Sequence, residues 1–155
     1  MKSVPYKLMV FTVISLGITI NLMSCREKNN KIPYRSAEGY FVLNTIENAG
    51  AYEKKFTTKD EFDRYFGSAT TMNSSSTPID FDKEFAIAFI APITDMETDI
   101  LVDSVLQNGN QTEIYLSIET GKTMSYSIRP VKILVIDRKY NGELTSFVNR
   151  YKTKN

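Results

Sequence analysis

Apolar residues fall along this chain in short runs divided by polar and turn-forming segments, a pattern that predicts strands rather than long helices. Tyr40, Phe41, Val42, Leu43 and Ile46 make a first β-rich stretch. Residues 85–90 are uninterruptedly apolar, which predicts a central strand buried on both faces, and Pro92 limits its length. Ile114, Leu116 and Ile118 instead alternate with Glu113, Tyr115, Ser117 and Glu119, so this strand has one buried face and one wet face. It forms the second arm of a hairpin, residues 100–107 and 112–120, turned by Asn108, Gly109 and Asn110. Shorter strand-like segments follow at 124–128, at 131–136 after Pro130, and at 144–148 after the Asn141-Gly142 turn.

One segment carries helical spacing. Thr58 is placed as an N-cap with Glu61 three residues on, the capping-box arrangement, and Phe62, Tyr65 and Phe66 then share one face. With Gly67 as a stop, the spacing predicts a helix over residues 59–66 whose aromatic face is a core contact. The small polar residues between Gly67 and Pro78 predict an exposed loop. The sum is an α+β fold: a small single domain over residues 37–155, with a largely antiparallel sheet of six or seven strands and one or two short helices.

The amino terminus reads differently. Lys2 and Lys7 precede a nearly uncharged stretch at 8–22, the layout of a secretory signal peptide over residues 1–24. Thr12, Ser15, Gly17, Thr19 and Asn21 dilute that stretch, and it is shorter than the about 20 apolar residues a membrane span needs. At its end Leu22, Met23, Ser24 and Cys25 resemble the lipobox of bacterial lipoproteins. The resemblance implies cleavage before Cys25, diacylglycerol on its sulfur and an acylated amine, a multiple attachment that holds firmly to a membrane. Residues 25–36 then read as a lipidated flexible tether. Arg26, in place of an aspartate, favours the outer membrane by the lipoprotein sorting pattern. Lys28, Asn29, Asn30 and Lys31, in place of an acidic run, favour its periplasmic face, with surface exposure left open.

Composition removes several kinds of chemistry. The chain has 155 residues, 19 basic and 18 acidic, with no histidine and one cysteine. Ser-His-Asp triads, Cys-His pairs, His or Cys zinc sites and internal disulfides are thereby excluded. Losing residues 1–24 removes two lysines and no acid, which takes the net charge from +1 to −1 and leaves no broad footprint for nucleic acid. No nucleotide-binding glycine motif is present and no cofactor is expected. The carboxylates Asp80, Asp82 and Glu84 read as solvated charge beside a strand. Asp95, Glu97, Asp99 and Asp103 form the densest acidic patch, without the spacing of a calcium loop. Ser74, Ser75 and Ser76 lack the glycine-flanked elbow of a nucleophile. Arg129 reads as an ion-pair partner for the acidic patch, or as an anion site. Asp103, Ser104 and Val105 resemble the O-glycosylation signal of exported Bacteroidetes proteins.

From Pro78 onward the chain runs Ile-Asp-Phe-Asp-Lys-Glu-Phe-Ala-Ile-Ala-Phe, then a hairpin, then Pro-Val-Lys-Ile-Leu-Val-Ile-Asp-Arg. Over residues 78–148 this resembles the carboxy-terminal domain of PrcB-type proteins, although residues 94–99 stand where that family carries a Gly-Gly-Tyr segment. The resemblance implies an accessory or regulatory binding role beside bacterial surface protease complexes. The expectation is a noncatalytic, lipid-anchored envelope protein of Bacteroidetes type that binds another protein or a small envelope ligand through loops. Thr71, Met72 and Asn73 in one loop, Asp95, Glu97 and Asp99 in another, and Arg129 are its candidate contacts. The competing expectations are a structural subunit of an envelope complex and a hydrolase built on paired carboxylates.

Overall fold

A computed structural model describes residues 30–47, 50–69 and 75–154. Sheet A joins β1 (Asn30–Lys31), β7 (Thr94–Asn108), β8 (Gln111–Ile128) and β10 (Glu143–Thr153), in that order. Sheet B joins β2 (Tyr34–Ala37), β9 (Val131–Asp137), β6 (Glu84–Ile90) and β4 (Tyr52–Phe56), in that order. A two-stranded sheet C pairs β3 (Tyr40–Val42) with β5 (Phe66–Ser68), and α1, the one α-helix among the described residues, spans Lys59–Asp63.

Strand alternation in β6 builds both cores at once. Phe85, Ile87 and Phe89 point toward sheet A, where they meet Ile100, Val105, Ile114 and Leu116. Ala86, Ala88 and Ile90 point the other way, toward Phe56 and the α1 and sheet C residues Phe62 and Phe66. The expectation of a central strand buried on both faces therefore holds. The hairpin at 100–120 also holds, with Gly109 at φ +59° in its turn. It is longer than the apolar pattern marks: β7 begins at Thr94, and residues 124–128 continue β8 instead of forming a separate segment.

Several expectations are corrected. The strands number ten among the described residues and divide between three sheets, where one sheet of six or seven was expected. The helix starts under its Thr58 cap, which accepts from the Glu61 N–H, but it ends at Asp63. Phe66 and Gly67 belong to β5, because the Phe41 ring lies on the bare Gly67 backbone and sheet pairing takes over from the helix. The other half of the capping box is absent: the Glu61 carboxylate pairs with Lys54 at 2.9 Å. The tether expected through Ser36 gives way at Asn30, since β1 pairs with β7, Ile32 is 3% exposed and β2 lies along β9.

β10 pairs with β8 in parallel, against the otherwise antiparallel pattern. Parallel neighbours need a crossover. Here β9 supplies it, taking the chain from sheet A into sheet B before the 3-10 turn Arg138–Tyr140 returns it. Among the described residues no helix is long and apolar enough to cross a membrane.

Candidate functional site

The two main sheets separate at one edge. β10 ends sheet A and β4 ends sheet B, so the sandwich has an open side between them. At one end of that side Lys55 closes the gap, donating from Nζ to Asn141 Oδ1 at 2.9 Å and to the Gly142 carbonyl at 2.6 Å. At the other end it stays open as a cleft of about 150 Å³, walled by Phe89, Ile100, Leu116, Ile118 and Val148, with Tyr52 at its side. Its side-chain polar groups include Glu53 and Ser146.

β10 presents the alternate residues Ser146 and Val148 to this cleft because successive strand side chains point to opposite faces, while β4 contributes Tyr52 and Glu53 at its start. Glu53 keeps contact with solvent at the mouth, yet the apolar surroundings disfavour its ionised form and push its pKa above the usual carboxylate value. A cavity of this size with aliphatic and aromatic walls takes one benzene-sized group. The chemistry available is apolar enclosure beside one carboxyl group that holds its proton more readily than usual.

Sequence reading did not find this cleft. The run Tyr-Glu-Lys-Lys-Phe hides β4, since charged residues at an edge strand mask the apolar positions of Tyr52 and Phe56. The alternation of Tyr52, Lys54 and Phe56 was the available signal, because Lys54 shares the face of the two aromatics and holds its Nζ over the Phe56 and Tyr65 rings at 5.5 and 5.1 Å.

The residues singled out from sequence lie elsewhere. Asp95, Glu97 and Asp99 sit within β7, not in a loop. Lys154 Nζ reaches both Glu97, at 3.0 Å, and Asp99, at 2.5 Å, and these two carboxylates hold the ammonium well above its ordinary pKa. Gly121 makes room for the Glu97 side chain across β8. Asp95 is exposed. Arg129 does not pair with this patch: its Nη1 and Nη2 donate to the carbonyls of Ile46 and Glu47 at 2.7 and 2.6 Å. Thr71, Met72, Asn73 and Cys25 lie outside the described residues.

Asp80 and Glu84 take separate cationic partners, and Asp82 contributes its backbone N–H. Asp80 pairs with Lys83 and accepts from the Asp82 N–H, which lowers its pKa, while Glu84 takes Arg35 at 2.7 Å. None of the three lines the cleft. Ser76 exchanges a 2.9 Å hydrogen bond with Ser68. Ser104 is half-buried in mid-strand opposite Tyr115. Among the described residues no group of three His, Cys, Asp or Glu side chains is placed to hold a metal.

Compared with known proteins, the chain matches no family model, no curated protein and no solved structure.

Proposed function

We propose that this protein is a noncatalytic accessory module of the bacterial envelope, anchored by lipid on Cys25, whose interlayer cleft receives an apolar side chain of a protein partner. One observation carries the reading: the roughly 150 Å³ cleft at the open side of the sandwich, apolar within and bordered by a protonation-prone carboxyl at Glu53. Concave, mostly apolar sites with a few placed polar groups are the usual form of a binding site. A cleft this small suits a single anchoring side chain, the kind of contact that dominates protein interfaces. The anchor would place the module on the periplasmic face of the outer membrane.

The test is a photoreactive amino acid at Tyr52 in intact cells. A recurring crosslinked protein, lost when Ile118→Phe fills the cleft, supports the reading. Crosslinks to lipid alone, or a recurring partner indifferent to Ile118→Phe, would sink it.

A further inference from the structure

β10 ends sheet A, and no described strand pairs with its outer side. Two bonds fix where its backbone groups point: the Glu143 N–H donates to the Asn110 carbonyl and the Lys154 N–H to the Thr120 carbonyl, both toward β8. By alternation Thr145 and Phe147 also turn their backbone groups to β8, while Leu144, Ser146 and Val148 present theirs at the free edge. The register against β8 skips Asn149. Beyond that extra residue Arg150 and Lys152 face β8, and Tyr151 and Thr153 face the edge. This open strand also exposes large apolar side chains: Phe147 at 42%, Val148 at 45% and Tyr151 at 73%.

We propose that the occupant of this edge is a second copy of the chain, with two β10 strands pairing antiparallel about a two-fold axis at Phe147. The four-stranded sheets would then join into one continuous sheet. Each observation about β10 fits this register. Setting Phe147 opposite Phe147 pairs Ser146 with Val148, Thr145 with Arg150, Leu144 with Tyr151 and Glu143 with Lys152, once Asn149 is left unpaired in each strand.

Leu144–Tyr151 and Ser146–Val148 are then pairs whose backbone groups all lie at the free edge, so they exchange hydrogen bonds. The remaining pairs are the non-hydrogen-bonded kind, whose side chains approach most closely. Those close pairs are Phe147 with its copy, Thr145 with Arg150, and Glu143 with Lys152, whose ammonium also lies 3.3 Å from Glu119 of its own chain. Side-chain faces agree as well: Ser146 and Val148 both line the cleft, whereas Phe147 lies on the outer face, stacked on Tyr115. A shift of one residue would set cleft-facing against outward-facing side chains along the whole strand.

A bulge ordinarily disturbs an edge and discourages pairing. Here the two bulges lie equally far from the axis and on opposite sides of it, so the strand matches its own copy. The proposal goes beyond the accessory role and rests on β10 alone. A two-fold axis perpendicular to the sheet sets the two cleft mouths facing each other; sedimentation and cysteine crosslinking read the β10 seam, whereas the Tyr52 crosslink reads the cleft, so failure of one reading is distinguishable from failure of the other.

The test uses the full-length chain purified in detergent, unmodified and as cysteine variants. Cys25 is the only native cysteine, which keeps the background simple. Phe147→Cys should give a disulfide-linked dimer on mild oxidation, because close antiparallel partners fall within disulfide reach. Glu143→Cys with Lys152→Cys should do the same, whereas either alone should stay at the mass of one chain. The unmodified protein should sediment as two chains. A monomer in sedimentation overturns the proposal. So does a dimer whose Phe147→Cys variant fails to crosslink, or one in which Glu143→Cys alone crosslinks as well as the pair.

Discussion

Ser117 donates a 2.7 Å hydrogen bond to the carboxylate of Asp103, and Asn149 reaches the same oxygen at 3.5 Å. The three residues stand side by side on β8, β7 and β10, at the places where the register of sheet A slips on both sides of β8. The slip at Asp103 matters to the core. It sets Val102 opposite Leu116 and Val105 opposite Ile114, so both valines face sheet B across an extra outward residue.

Asp103→Ala should therefore destabilise the protein by about 1–3 kcal/mol, because the nearly buried Ser117 hydroxyl is left without its acceptor. Denaturant unfolding measures the loss. Adding Ser117→Ala should recover much of it, and a double-mutant cycle with no coupling between the two would show that the bond does not support the bulge.

Phe56 is the centre of the second core. It is fully buried and meets Phe62, Tyr65 and Phe66 in edge-on contacts at 5.1 to 5.5 Å. Phe56→Ala should cost about 3–5 kcal/mol, the range for deleting a buried aromatic side chain. Unfolding together with near-ultraviolet circular dichroism would report both the loss and the loosening of the aromatic layer.

The pKa of Glu53 is raised by partial desolvation at the cleft mouth, although the residue stays exposed, and this fixes the sign of a pH effect. The folded chain holds this proton to a higher pH than the unfolded chain does. The stability it confers is full below the ordinary glutamate value of about 4.3 and is lost as pH rises through the raised value. Thermal midpoints measured from about pH 4 to about pH 7 should thus show Glu53→Gln gaining on the parent as pH rises. Asp80 and Asp137, whose pKa values are lowered, act in the opposite sense and are shared by both proteins. A constant difference between the two curves would contradict the partial desolvation of this carboxyl at the cleft mouth.

Gly142, just before the last strand, has no room for a side chain, since a Cβ there would run into the Asn110 carbonyl. That carbonyl also accepts from the Glu143 N–H at 2.9 Å and so begins the parallel pairing of β10. Gly142→Ala should cost about 1–3 kcal/mol, as overpacking does. Hydrogen exchange should show the loss concentrated in β10.

The elements legible in the sequence were those with a buried face. The continuous run of β6, the alternation in β8 and the Thr58 cap each have a physical signature that survives without tertiary context. β4, β1 and the far half of β10 were not legible, because edge strands carry charged and polar residues that resemble loop. Phe66 joins sheet pairing against its helical spacing, an override visible only when Phe41 is placed on Gly67. The cleft escaped for the same reason as β4: it lies between two edges. The acidic residues of β7 drew attention as exposed charge, but Lys154, 55 positions beyond Asp99, already engages two of them.

Mass spectrometry of the amino-terminal peptide from native cells tests the anchored module most directly. The expected peptide begins at Cys25, with diacylglycerol on sulfur and no free thiol. A peptide joining Ser24 to an unmodified Cys25 would contradict it.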